Sequence, residues 1–244
     1  MVDRLQLLPA VDVQGGRAVQ LVQAVAGSEK VFGDPVEAAL DWQRQGAEWV
    51  HLADLDLAFG TGDNRTVIAE IVGRLDIPVQ VSGGIRDDES LDFAVSTGCR
   101  RVNIATAALA DPPWCARTIG THGDRVSLAL DVRGRVLSAR GASDVGGELY
   151  DTLARLDAEG CARYVVTDVE ADGMLQGASV ELLREVCAAT DRPVVASGGV
   201  GQLSDIDALR GLVGEGVEGA VVGTALHERR FTLSDALARA ADPD

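Results

Sequence analysis

Short runs of β-branched and aliphatic residues alternate along this chain with longer stretches in which apolar positions recur every three or four residues. The short runs predict strands near 5–11, 48–54, 77–82, 101–105, 125–131, 163–168, 193–197 and 218–223. The longer stretches predict helices near 34–46, 64–75, 87–98, 111–121, 147–160, 179–190, 204–214 and 231–240, with start signals at Asp34-Pro35, Asp111-Pro112 and Ser204-Asp205. Eight strands, each followed by a helix, are the count of an α/β chain folded as a single (β/α)8 TIM barrel. A doubly wound sheet fits less well, because the first strand leads into a long loop and not into a dinucleotide glycine fingerprint.

The pattern also repeats. Pro78-Val79-Gln80-Val81-Ser82-Gly83-Gly84-Ile85 is echoed by Pro193-Val194-Val195-Ala196-Ser197-Gly198-Gly199-Val200, and Gly83 and Gly198 lie 115 residues apart. Thr106 and Thr224 lie 118 apart, Asp12 and Asp131 119, and Asp54 and Asp168 114. Such a period is too long for a solenoid unit and predicts a two-fold repeat of half-barrels, about 1–122 and 123–244, within one domain of 1–244.

Composition narrows the partners. The formal net charge of −16 argues against nucleic acid and anionic membranes. Lys30 is the single lysine, so an anionic ligand must be met by arginines and backbone amides, with Arg17, Arg86 and Arg140 as loop candidates. Cys99, Cys115, Cys161 and Cys187 lack paired spacing and read as buried free thiols, and the scattered His51, His122 and His227 give no zinc pattern, so no metal is expected. Without a basic leader or an apolar run of about eighteen residues, the expectation is a soluble, cytoplasmic protein.

In a barrel the chemistry sits at the carboxyl ends of the strands, which places Asp12, Asp54, Ser82, Thr106, Asp131, Asp168, Ser197 and Thr224 around the mouth. Ser82-Gly83-Gly84 with Thr106, and Ser197-Gly198-Gly199 with Gly223-Thr224, read as two phosphate-type loops, since small residues ahead of a helix open backbone N–H groups to an anion. Carboxylates facing each other in a closed pocket can have their pKa values pushed apart into an acid and a base. Asp54 and Asp131 read as braces more readily than Asp12 does.

Leu-Leu-Pro-Ala-Val-Asp-Val with Gly-Arg-Ala-Val, Val-Ser-Gly-Gly-Ile-Arg-Asp-Asp-Glu-Ser, Thr-Asp-Val-Glu-Ala-Asp-Gly-Met-Leu and Ala-Ser-Gly-Gly-Val run in order over essentially the whole chain. Together they resemble the phosphoribosyl isomerase A family, the actinobacterial form of the carboxamide ribotide isomerases of histidine biosynthesis. The resemblance implies a cofactor-free Amadori rearrangement of a phosphorylated ribosyl-amine, with Asp172 as the acid that opens the furanose ring and Asp12 as the base at the sugar's second carbon. With the loops above, it gives as ligand contacts Arg17, Gln20, Ser82, Gly83, Gly84, Arg86, Thr106, Asp131, Arg140, Thr167, Gly177, Ser197, Gly198, Gly199, Gly223 and Thr224. It also implies two substrates, the two-phosphate histidine intermediate and the one-phosphate phosphoribosylanthranilate of tryptophan biosynthesis. The working form is expected to be a monomer.

Four positions depart from the family: Gln20 replaces an arginine, Ala105 a glycine, Met174 a threonine, and Ala142 a tryptophan beside Arg140. Gln20 and Ala105 are expected to weaken the N-terminal anion site, and Ala142 to remove a stack on the imidazole. Both effects shift the balance toward phosphoribosylanthranilate. A barrel that binds phosphosugars without turnover is the alternative.

Overall fold

The computed structural model describes residues 4–20, 30–139 and 147–241. Among them, eight parallel strands form a closed ring: β1 (Gln6–Gln14), β2 (Val50–Asp54), β3 (Val79–Ser82), β4 (Arg101–Ile104), β5 (Val126–Arg133), β6 (Tyr164–Asp168), β7 (Val194–Ser197) and β8 (Val217–Val222). Each pairs with the next in chain order. The ring closes from β8 back to β1, where Leu7 faces Ala220 and Pro9 faces Val222. The helices that follow the strands are α1 (Pro35–Arg44), α2 (Arg65–Arg74), α3 (Asp88–Ser96), α4 (Pro112–His122), α5 (Leu149–Ala158), α6 (Val180–Ala189), α7 (Leu203–Arg210) and α8 (Leu233–Ala241). The expected (β/α)8 barrel is therefore the fold.

Continuous apolar runs form these strands because both strand faces are covered, by helices outside and by packed side chains within. Val11, Val50, Leu52, Val102, Leu128, Leu130, Val166 and Val194 are fully buried. Helix starts follow the expected chemistry: Asp34 accepts from the N–H groups of Val36 at 2.8 Å and Glu37 at 3.0 Å, with Pro35 in the first turn. At α7 the start lies earlier than Ser204-Asp205 suggests. Asp205 reaches back to the N–H groups of Gly201 and Gln202 at 2.8 and 3.0 Å and closes a capping box as its third residue.

The expected long loop after β1 is instead an antiparallel arm. Arg17–Gln20 pairs with β1 and Lys30–Gly33 pairs with Arg17–Gln20. Its turn is Gly15-Gly16, with φ of 54° and 71°, the two positive values that a tight type I′ hairpin demands. The tip is tied to the loop after β2, since Asp56 accepts from Gly15 N–H at 2.6 Å and Asn64 accepts from Gly16 N–H at 2.9 Å. The far strand leans on the short helix Thr224–His227, with Phe32 stacked on His227 at 4.7 Å between ring centroids and Lys30 paired to Glu228 at 2.9 Å. A second small hairpin, Val136–Leu137, turns back on β5.

Pairing registers recur between the halves. Asp12 faces Ala53, which faces Ser82; Asp131 faces Thr167, which faces Ser197. Val81 faces Val102 as Ala196 faces Ala220.

Candidate active site

A cavity of about 1070 Å³, its open mouth included, lies at the carboxyl ends of the strands. Asp12, Asp131 and Asp172 line it together with Ser82-Gly83-Gly84, Arg86, Thr106, Thr167, Ser197-Gly198-Gly199, Gly223 and Thr224. These come from the strand ends and loops of both halves, so one cavity joins both Ser-Gly-Gly turns.

Side-chain alternation decides which carboxylates face in. Asp12 and Asp131 share a level with Ala53 and Thr167, and all four line the cavity. Asp54 and Asp168 sit one residue further on, opposite Val13 and Val132, and so point to the other face of the sheet. Asp54 is a brace, as read from the sequence: its carboxylate accepts from Leu57 N–H at 3.1 Å, Asn64 N–H at 2.6 Å and the Asn64 amide at 2.7 Å. Burial pushes its carboxyl above the usual range, against the pull of those hydrogen bonds. Asp168 braces the loop after β6 in the same way, accepting from Glu170 N–H at 2.9 Å and from the Ser179 hydroxyl. That loop carries Asp172, whose N–H donates to the Asp168 carbonyl at 3.0 Å. Asp131, read from the sequence as a brace or a ligand contact, faces the cavity by the same parity.

The glycine pairs serve packing between loops at least as much as room for a ligand. A Cβ on Gly83 would stand 2.3 Å from the Asp54 carbonyl oxygen, and one on Gly84 2.5 Å from that of Leu57. A Cβ on Gly199 would stand 2.2 Å from the Gly177 carbonyl oxygen, and Gly177 N–H donates to the Gly199 carbonyl at 3.0 Å. Each Ser-Gly-Gly turn is thereby pressed onto the loop after the preceding strand.

The two anion loops differ in detail. The Thr106 hydroxyl is buried and spent inside the protein, donating to the Ala129 carbonyl at 2.8 Å and accepting from Asp131 N–H at 2.9 Å. Thr224 is half-buried on the cavity wall, and its hydroxyl makes no hydrogen bond within the described residues. Gly223 has φ −110° and ψ −89°, a combination poorly suited to a residue with a Cβ, whereas Ala105 is extended with φ −69° and ψ 150°. The peptide leading into Thr106 is therefore turned differently from the one leading into Thr224.

Gln20 is not near the N-terminal anion site, where it was expected. Its Oε1 lies 2.9 Å from where a Cβ on Gly223 would stand, because the arm crosses from the loop after β2 to the short helix after β8. Gln20 therefore stands beside the C-terminal loop. Arg17 is exposed on the arm and does not line the cavity, and Gly177 stands behind Gly199. Arg140 and Ala142 lie outside the described residues. Met174 is half-buried beside the cavity wall, which Leu175 lines in its place, with φ of 56°.

Sequence reasoning missed His51 and Asn103, which contribute to the cavity floor. A lone histidine in an apolar strand carries no spacing signal, and only the pairing of Ala10, His51, Gln80 and Arg101 at one level shows its company. The cysteines are free, with Cys99, Cys115 and Cys161 buried and Cys187 half-buried, and burial raises each thiol. No helix among the described residues is long and apolar enough to cross a membrane.

A closed barrel with a polar mouth, inward carboxylates and paired Ser-Gly-Gly turns defines a class of (β/α)8 proteins that sequence relatives narrow further. Residues 6–232 match the histidine biosynthesis protein family, and the chain belongs to that family. It is 69% identical over 238 residues, 98% of both chains, to a Nocardioides sp. protein named 1-(5-phosphoribosyl)-5-((5-phosphoribosylamino)methylideneamino)imidazole-4-carboxamide isomerase. It is 63% identical over 234 residues, 96% of each, to the Thermobifida fusca protein of that name. It is also 62% identical over 234 residues, 96% of this chain and 97% of the other, to the phosphoribosyl isomerase A of Streptomyces griseus.

Proposed function

We propose that this chain is a phosphoribosyl-amine isomerase that works without a cofactor, acting on the two-phosphate imidazole carboxamide ribotide of its relatives' name and on phosphoribosylanthranilate. Asp172 protonates the furanose ring oxygen and opens the ring to a Schiff base. Asp12 then removes the proton from the sugar's second carbon, and the enol so formed tautomerises to the ketose. The observation that carries this reading is the single cavity joining Asp12, Asp172 and both anion loops. Around the ring, β7 and β8 separate the strands that bear the two carboxylates, which leaves the sugar room to lie between acid and base. General acid–base groups of this kind contribute roughly a hundred- to ten-thousand-fold each.

The balance leans toward phosphoribosylanthranilate. Its support is the N-terminal loop, where the Thr106 hydroxyl is already committed and Ala105 holds an extended backbone. Gln20 lends no support, since it faces the other loop. A steady-state assay on both substrates tests the proposal: turnover of both is expected, with the larger specificity constant for phosphoribosylanthranilate. Tight phosphosugar binding with turnover of neither would replace the isomerase with a binding barrel.

A further inference from the structure

Beneath the mouth, the inward layer of the barrel is built differently in its two halves. On one side His51, Gln80 and Arg101 stand side by side on β2, β3 and β4. The equivalent places on β6, β7 and β8 hold Val165, Val195 and Gly219. The Gln80 side chain is fully buried between two partners, its Nε2 2.8 Å from His51 Nδ1 and its Oε1 3.0 Å from Arg101 Nη1.

This geometry permits one arrangement of protons. A guanidinium has donors and no acceptor, so the amide oxygen of Gln80 must face Arg101. The reversed amide would set donor against donor. The NH2 end therefore faces His51, and Nδ1 of the ring must accept. Arg101 is itself fixed: Glu218 lies 3.5 Å from its guanidinium, and the Trp49 ring covers it at 4.6 Å. Glu218 is shared with Arg163, which donates to its second oxygen at 3.2 Å. Burial and Arg163 lower Arg101 to about 10, so at neutral pH it remains a cation.

We propose that Gln80, oriented by Arg101, is a positioning residue that fixes His51 as the neutral imidazole carrying its proton on Nε2, so that His51 puts no cation on the cavity floor one layer below Asp12. The consequence for Asp12 as a base rests on the isomerase reading; the tautomer does not. An imidazolium, by contrast, would need a proton on Nδ1 aimed at the Gln80 amide protons. A cation one layer below Asp12 would also stabilise that carboxylate and weaken it as a base.

The test is a two-bond 1H–15N spectrum of protein labelled on histidine, with His51→Gln marking the signals, alongside kinetics. In the wild type, Nδ1 is expected to be unprotonated and Nε2 protonated at neutral pH. Gln80→Glu offers an acceptor in place of the donor, so a proton should appear on Nδ1 and kcat should fall about tenfold or more, as a cation beneath Asp12 makes it a weaker base. Gln80→Leu should give mixed tautomers and a smaller loss. A wild-type proton on Nδ1, an unchanged spectrum in Gln80→Glu, or a changed spectrum with undiminished kcat would each overturn the proposal. Should the variants fail to fold, the wild-type spectrum alone decides the tautomer. If the wild type turns over neither substrate, the isomerase reading fails while the tautomer result stands.

Discussion

A methyl group on Gly198 would stand 3.3 Å from both Cα and Cβ of Asp172. The glycine that follows β7 thus sets the space in which the proposed acid sits. Its φ of 87° adds a second demand, since an L side chain in that region costs about 1–2 kcal/mol. Gly198→Ala should push the loop after β6 outward and lower kcat by roughly a hundredfold, the order lost when a catalytic group moves by about an ångström. Kinetics with a parallel denaturation curve separate the two effects. Unchanged kcat would mean that Gly198 does not hold Asp172 in place.

Asp12→Asn and Asp172→Asn should each reduce turnover by at least about a hundredfold, as removal of a general acid or base does. Inorganic phosphate should still bind, because the anion loops are untouched. Substantial activity in either variant, measured under single-turnover conditions, would remove that residue from the chemistry.

The two threonines should part company. Thr106→Val leaves Asp131 N–H and the Ala129 carbonyl without their partner and should cost about 1–3 kcal/mol of stability. Thr224→Val should leave stability nearly unchanged and weaken phosphate binding, because that hydroxyl has no hydrogen-bonding duty within the described residues. Calorimetric titration with phosphate and thermal unfolding of both variants give the comparison. Equal effects would refute the asymmetry between the loops.

Two further substitutions test where the departures act. Gln20→Arg places a cation beside Gly223 and should tighten phosphate binding about tenfold, most visibly at low salt. Since either substrate carries a phosphate, that gain should extend to both. Ala105→Gly acts on the other loop and should favour the two-phosphate substrate alone. Arg86, exposed beside that loop, offers an anion some compensating attraction, but a solvent-screened charge is worth only about 0–1 kcal/mol.

Stability should depend on His227 below neutrality. Burial holds its pKa beneath the ordinary imidazole range, against the hydrogen bond to the Ala10 carbonyl at 2.9 Å. The unfolded chain therefore takes up the proton first as pH falls. The histidine's contribution is full above about pH 6.5 and is lost as pH drops toward the lower folded value. Between those two values the unfolded chain binds up to one proton more than the folded one, so stability should fall as pH drops, by at most about 1.4 kcal/mol for each pH step of one. Chemical denaturation between about pH 7.5 and 5, a range that brackets the ordinary imidazole value, should show this slope in the wild type, and His227→Gln should flatten it. A parallel slope in the variant would assign the effect elsewhere.

The alternation of strands and helices was legible because strands such as β6 and β7 are covered on both faces and read as mainly apolar runs, with caps such as Asp34 marking where helices begin. The arm was legible in principle, since Gly15-Gly16 is a hairpin turn pair, but its neighbours carry no long alternating run. What could not be read was parity. Asp12 lies near the end of its strand and Asp54 at the end of its own, yet one faces the cavity and the other a loop, because the pairing of Asp12 with Ala53 leaves Asp54 one step out of phase. Nor could the sequence place Gln20, whose position depends on where the far strand of the arm docks. The role of Gly84 and Gly199 was also hidden, because the backbone they accommodate belongs to the preceding loop.

A mouth with matching anion loops on opposite sides poses a problem of direction. A ligand with a phosphate at each end could be accepted head first or tail first, and only one pose would bring its sugar between Asp12 and Asp172. The layer beneath is unequal: His51 makes one side of the floor polar, while Val165 makes the other side apolar. On the proposed function, a floor that is polar on one side and apolar on the other is expected to give the two ends of such a ligand unequal seats, so that one direction of entry is favoured over the other.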